Sequence, residues 1–362
     1  MGSGITNSSA HHLEVSGTNY HCSKTLDEAF LVAYVVLGLA MFVGNTFCCA
    51  VFVNTPQLRN CYMNMFLVSL GVADILAALF VIPGHCMFCT NCSKGYLLSN
   101  VLDKETCQFL DGVKDYVWLA SVLSVLGITY DRYLAVIKPL RYHCKMTGRT
   151  VTSILLIIWL LPVPVSFIKP ILNAVNVDFL KDGSQSESIF DVVVVLALII
   201  MPMAVLFIVN IMITKAIKKQ LQRVTNERRR NSRSVEDLKP NENRGKTISC
   251  LIVVLIFLVS WFPRFVLNFM FLFNIHHMEG LKLLEKVSLV FLFVQSSINP
   301  LLYSFYRRDF RQAAENLLKR MLPFKDSSSW FSEDGQRSVA FCITQTNTEP
   351  ALNCQLTEIN DT

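Results

Sequence analysis

Charge is what this sequence has least of. Asp, Glu, Lys and Arg make up 17% of its 362 residues, where soluble globular domains carry about 25%. With 52% hydrophobic residues and a mean hydropathy of +0.42, too few hydrated groups remain to cover the surface of a water-soluble fold. Other absences narrow the function. His11, His12, His21, His85, His143, His276 and His277 all fall in tails, loops or the ends of apolar runs, so no histidine cluster suits a membrane metal hydrolase. No inverted repeat and no second glycine-broken apolar segment in register supports a transporter. The middle of the last apolar run, "VFLFVQSS", holds no lysine for a retinal Schiff base, and Lys286 sits at its outer end. No nucleotide-binding motif appears, and no nucleic-acid partner and no enzymatic activity is expected.

What is there is apolar and clumped. Seven runs, near 29–53, 62–83, 108–133, 150–168, 190–214, 247–273 and 284–306, are each long enough to cross about 30 Å of hydrocarbon as a helix. Barrel strands would be shorter and strictly alternating. The reading is an all-α membrane protein, a seven-transmembrane helix bundle of residues 29–306.

The loops orient it. Segment 215–246, between spans five and six, holds eleven Lys/Arg against four Asp/Glu, whereas 169–191 holds two bases against four acids. Arg59, Lys138, Arg141, Lys145, Arg149, Arg307, Arg308 and Arg311 lie on the same side as the basic segment. The positive-inside rule then puts the amino terminus outside and the carboxyl terminus in the cytosol. Residues 1–28 show no signal-peptide pattern, so the first span is expected to direct its own insertion. Asn7 and Asn91 head glycosylation acceptors on the outer side. The opening "MGSGIT" fits the myristoylation pattern, but an outer terminus would not meet the cytosolic transferase.

Polar residues interrupt the spans at costly depths: Asn45, Asp74, the Asp131-Arg132-Tyr133 triplet, and Asn299 before Pro300. Together with Gly44, Leu70, Cys107, Trp159, Pro202, Phe257, Trp261-Phe262-Pro263 and Asn299-Pro300-Leu301-Leu302-Tyr303, these residues form one motif per span, in order. Over about residues 29 to 320 the chain resembles a rhodopsin-family (class A) G-protein-coupled receptor. Phe310 in "RRDFRQAAENLLKR" resembles that family's amphipathic surface helix, here 307–320.

The resemblance implies a receptor for an extracellular small molecule or peptide that activates heterotrimeric G proteins, with arrestin and receptor kinases as further partners. A constitutively active or G-protein-uncoupled decoy is the alternative. It implies an Asp131–Arg132 ion pair that holds the resting state and frees Arg132 for the G protein. Tyr133, Phe257, Trp261, Pro202, Asn299, Pro300 and Tyr303 are the other implied activation residues. Asp74, Ser121, Asn45 and Asn299 resemble the family's sodium pocket, the one implied cofactor; a plain hydrogen-bond network is the other reading. Pro263 and Pro300 each remove a backbone hydrogen bond and let their helices bend.

The departures are specific. Asn210 stands where the family has Tyr in span five, and Asn243 where an acid usually faces Arg132, with Glu242 one residue off phase. Cys107 ordinarily pairs with a cysteine in the loop after span four, but 169–191 holds none, which leaves Cys86, Cys89, Cys92 or Cys22. The other seven cysteines read as reduced. The implied ligand pocket contains Lys114, Asp115, Arg264, Phe265, Asn268 and Phe293. Lys114 stands where amine receptors carry aspartate. Two bases in one pocket demand negative charge, supplied either internally, by Asp111 for Lys114 and Asp115 or Asp191 for Arg264, or by an anionic ligand. Segments 221–245 and 321–362 are polar and read as disordered, with Lys215, Lys218, Lys219 and Arg223 able to extend span five. Ser327, Ser328, Ser329, Ser332 and Ser338 in the tail read equally as kinase targets or as ordinary solvated residues.

Overall fold

The structure, a computed structural model, describes residues 24–89, 104–175, 201–230, 242–272 and 280–321, with isolated positions between 190 and 200. No strand occurs among the described residues. Among the described residues seven helices are long and apolar enough to cross a membrane: Thr25–Asn54, Tyr62–Gly84, Thr106–Ile137, Gly148–Leu172, Met201–Gln220, Cys250–Met270 and Leu283–Tyr306.

The bundle is apolar outside, and the polar groups of its spans lie inside, set among a core that is itself mostly apolar. On span one Val32, Val36, Leu39 and Val43 are each about 60% exposed; this i, i+4, i+7, i+11 stripe suits lipid. Asn45, Asp74, Ser124, Asp131 and Asn299 are meanwhile buried. Span three is central and packs against spans two, four, five and six. It is tied to two and four by a chain in which the Trp159 indole donates to Ser69 Oγ at 3.1 Å and Ser69 meets Ser124 at 2.9 Å. Close approach explains two glycines. A Cβ on Gly44 would lie 3.0 Å from Pro300, where span one crosses span seven, and one on Gly127 would lie 2.9 Å from Phe66.

Several boundaries move. The first helix starts at Lys24, inside the segment expected to be tail. Span two continues from Ala77 to Cys89 as a wider π-helix; Pro83 lies within it, and a proline cannot supply the usual i to i−4 bond. The segment assigned to the third cytosolic loop is helical at both ends, since span five runs as helix to Arg230 and span six starts at Glu242. Polar composition suggested disorder there, but Lys, Arg, Gln and Glu are good helix formers once a helix is already under way.

After span seven the chain turns into a surface helix, Arg308–Met321. Phe310 is fully buried and Ala313 nearly so. Phe310 packs on Phe52 at 5.1 Å and on Tyr303 at 6.1 Å, which fastens the helix to spans one and seven.

Candidate functional site

At the inner end of span three, Asp131 is wholly buried and Arg132 nearly so. Arg132 Nε donates to Asp131 Oδ2 at 2.9 Å, and the guanidinium's Nη2 meets the same oxygen. The other oxygen, Oδ1, accepts from Tyr142 Oη at 2.9 Å. Tyr142 sits on the short helix Pro139–Lys145; burial, with the Asp131 carboxylate beside it, pushes its phenol well above the ordinary value. Both carboxylate oxygens are thus occupied in an arrangement that neutralises Arg132 while leaving it at the end of the bundle that carries Tyr142 and the short helix Pro139–Lys145. The family motif pointed to the first two residues but not to Tyr142, whose partner is eleven positions away. The side chains of Glu242 and Asn243 are outside the described ones.

Half-way through the bundle, Asp74 Oδ1 accepts from Ser296 Oγ at 2.7 Å and Oδ2 from Asn299 Nδ2 at 3.0 Å. Beside them is a cavity of about 20 Å³, lined by Asp74, Ser121, Gln295 and Ser296 and walled by Trp118 and Trp261. That is room for about one water or one small ion. Asn299 Oδ1 and Gln295 Nε2 are buried with no hydrogen-bond partner, so polar capacity is left over. Asn45 does not reach Asp74: its amide donates to the carbonyls of Met41 at 3.0 Å and Ser296 at 3.1 Å. Ser296, which the sequence reading did not single out, is the direct contact.

Trp261 packs on Phe257 at 5.6 Å and meets Trp118 edge-on at 6.1 Å. Phe293 also lines the cavity and makes an edge contact with Tyr34 at 5.8 Å. Pro202 is buried in a crevice with Val122 and Pro162 of spans three and four. Asn210 bonds back to its own helix, Nδ2 to the Leu206 carbonyl at 2.7 Å, while Tyr303 packs on Phe52 at 5.8 Å. Tyr133 is half-buried against the core.

Towards the outer end, Lys114 is buried and its Nζ meets Asp111 Oδ1 at 2.9 Å, as the internal reading expected. Arg264 behaves differently. Its Cζ lies 5.0 Å from the Trp118 ring centroid, and Asp115 is exposed, one 100° helical step from the buried face of Lys114. Phe265 and Asn268 are half-buried, and Phe265 stacks on Phe269 at 6.3 Å. Cys107 is disulfide-bonded, and so, against expectation, is Cys144; neither partner is among the described side chains. Asn7, Asn91, Cys22, Cys92, Asp191 and the tail serines lie outside the described residues, as do the side chains of Cys86 and Cys89.

Two buried ionic contacts were not anticipated. Asp27 and Lys286 form an ion pair joining the start of span one to the start of span seven, with Lys286 Nζ 5.9 Å from the Phe30 ring. At the opposite face Arg307, 1% exposed, donates to Asn64 Oδ1 at 2.7 Å and to Asp309 at 2.6 and 3.2 Å. Burial alone would lower the Arg307 pKa; the Asp309 carboxylate more than offsets this, and the net direction is upward.

Comparisons with known proteins converge on one family. Residues 44–303 match the family described as 7 transmembrane receptor (rhodopsin family), and the chain belongs to that family, whose members are receptors and not enzymes. Among its relatives, adenosine receptor A2b of Canis lupus familiaris is 27% identical over 319 residues, 82% of this chain and 91% of that protein. Histamine H2 receptor of Cavia porcellus is 27% identical over 301 residues, 79% of this chain and 78% of that protein. Adenosine receptor A2b of Homo sapiens is 26% identical over 322 residues, 83% of this chain and 92% of that protein.

Proposed function

We propose that this protein is a plasma-membrane receptor, amino terminus outside, that binds an extracellular ligand and activates heterotrimeric G proteins by guanine-nucleotide exchange. The observation that carries the proposal is the buried Asp131–Arg132 pair, closed by Tyr142, at the cytosolic end of span three. A buried guanidinium with one charged partner can be released by a modest rearrangement, and it keeps its charge in either state. Once free, its five donors suit the carbonyls and carboxylates of a partner's terminal helix. Family membership supports the same reading.

The Asp74 cavity suits a sodium ion. Its donors are hard oxygens from one carboxylate and two hydroxyls, the leftover Asn299 Oδ1 is an unused acceptor nearby, and the space fits a single small ion. Such an ion would stabilise the charge of Asp74 in the closed bundle. The tail beyond 321 carries the serines on which receptor kinases and arrestin would act. The relatives' names include adenosine and histamine, two chemically unlike ligands, so family membership alone leaves the ligand class open.

The test is complex formation. Full-length receptor carrying Asp131→Asn, which removes the negative partner of Arg132, is mixed with a panel of purified heterotrimers under nucleotide-free conditions. A complex with at least one heterotrimer, dissociated by GTP, is expected. Absence of a complex with every heterotrimer, from receptor shown to be folded, would overturn the signalling reading in favour of a decoy.

A further inference from the structure

Spans three and six meet at Trp118, and two cations share its ring. Lys114 Nζ lies 5.5 Å from the indole centroid and Arg264 Cζ lies 5.0 Å from it. Their situations differ. Lys114 has Asp111 at 2.9 Å, although that carboxylate is 46% exposed. Arg264 has no carboxylate within ion-pair distance and no hydrogen bond among the described residues. Asp115, the described acid expected to reach it, is exposed on another face of span three. An aromatic ring attracts a guanidinium through its quadrupole but accepts none of the five directional N–H bonds that Arg presents. Among the described residues, two positive groups against one acid leave this end of the pocket positive, in a bundle where unmatched charge is costly.

We propose that Arg264 and Lys114 form the recognition site for an anionic group, a carboxylate or a phosphate, on the extracellular ligand. The proposal rests on the receptor reading above. The planar guanidinium of Arg264 would hold the anion bidentately, and Lys114 would contribute a point charge while keeping Asp111 as its second neighbour. Trp118 forms the floor of the site. Trp118 also packs edge-on against Trp261 and walls the Asp74 cavity. When an anion draws the guanidinium off the indole face, Trp118 loses a packing partner and becomes free to shift against Trp261. Charge recognition at the outer end would thereby reach the middle of the bundle through two rings.

The experiment uses full-length receptor in lipid nanodiscs and a panel of aryl and alkyl carboxylates and phosphates, each paired with its neutral amide or alcohol. The readout is the shift in thermal unfolding as a function of probe concentration. At least one anion should half-saturate at a concentration about tenfold or more below its neutral counterpart, the factor expected for a charge-assisted contact. Arg264→Gln should abolish that preference, Lys114→Gln should weaken it, and Arg264→Lys, which keeps charge without the fork, should retain part of it. The carboxylate and phosphate arms show which anion fits better. Neutral probes matching their anions throughout, no stabilisation by any anion, or a preference that persists undiminished in Arg264→Gln would overturn the proposal. If Arg264→Gln does not fold, Arg264→Lys decides, since a preference untouched by loss of the fork would equally overturn it. Agonist-free nucleotide exchange by the Asp131→Asn receptor on the same panel of heterotrimers separates the two readings. Such exchange with no anion preference in the wild type defeats the anion site alone, and anion preference with no exchange by Asp131→Asn on any heterotrimer defeats the signalling reading alone.

Discussion

The ion pair between Asp27 and Lys286 permits an asymmetric double-mutant cycle. The two side chains are 5% and 10% exposed, so neither keeps much hydration. Lys286→Met would remove the only cation facing Asp27 among the described residues and leave both carboxylate oxygens without a partner, since Oδ2 has none even in the intact pair. Breaking a buried pair from one side costs about 3–5 kcal/mol. Asp27→Asn should cost less, because the ammonium retains the Phe30 ring at 5.9 Å, a contact of about 0.5–2 kcal/mol, and the amide oxygen still accepts a hydrogen bond. Combining Asp27→Asn with Lys286→Met removes both charges and should recover most of the loss, since apolar replacement of a buried pair is often neutral or stabilising. The assay is thermal unfolding of the four purified receptors in nanodiscs. The expected order is Lys286→Met least stable, then Asp27→Asn, with the double variant near wild type. Additive losses in the double variant, or a Lys286→Met receptor as stable as wild type, would show that the pair is solvated and refute the reasoning.

Two further outcomes concern the end of the bundle that carries Arg132 and Arg307. Arg307→Met deletes bonds to Asn64 and Asp309 from a wholly buried site, about 2–4 kcal/mol given charge-assisted contacts; amide exchange should show residues 308–321 losing protection while the seven spans keep theirs. Asn243→Glu adds an acid at the position from which the family usually faces Arg132. It should lower agonist-independent signalling several-fold, up to about tenfold if the new contact is worth 1.4 kcal/mol, as read by second-messenger accumulation at matched surface expression.

The spans were legible because hydropathy reports depth: a run of apolar residues declares that it lies in hydrocarbon whichever way it faces. Asp131, Arg132, Asp74 and Asn299 were legible because each interrupts such a run at a cost that only a specific neighbour offsets, whereas Trp261 was legible only through the family motif. Hydropathy does not report azimuth, and that is where the reading stopped. Asp27 and Lys286 are 259 positions apart and each looks like an ordinary charge at a span end. Arg307 counted as one more cytosolic base, yet it bonds to Asn64, 243 positions away. Ser296 takes the place beside Asp74 that the resemblance gave to Asn45, because where spans one and seven cross at Gly44 and Pro300 the Asn45 amide bonds to the backbone carbonyls of Met41 and Ser296. Asp115 and Lys114 are adjacent in sequence and 100° apart on the helix, and only packing decides which of them faces the bundle.

The central claim is that the Asp131–Arg132 pair restrains a chain able to activate G proteins. Agonist-free guanine-nucleotide exchange, measured with wild type, Asp131→Asn and Arg132→Gln receptors in nanodiscs at equal folded concentration, addresses it most directly. Releasing Arg132 by Asp131→Asn should raise exchange by about tenfold or more while the active fraction is small, because a lost buried charge contact exceeds about 1.4 kcal/mol, and Arg132→Gln should fall to the receptor-free rate. Equal rates for all three receptors, indistinguishable from G protein alone across the panel, would contradict it.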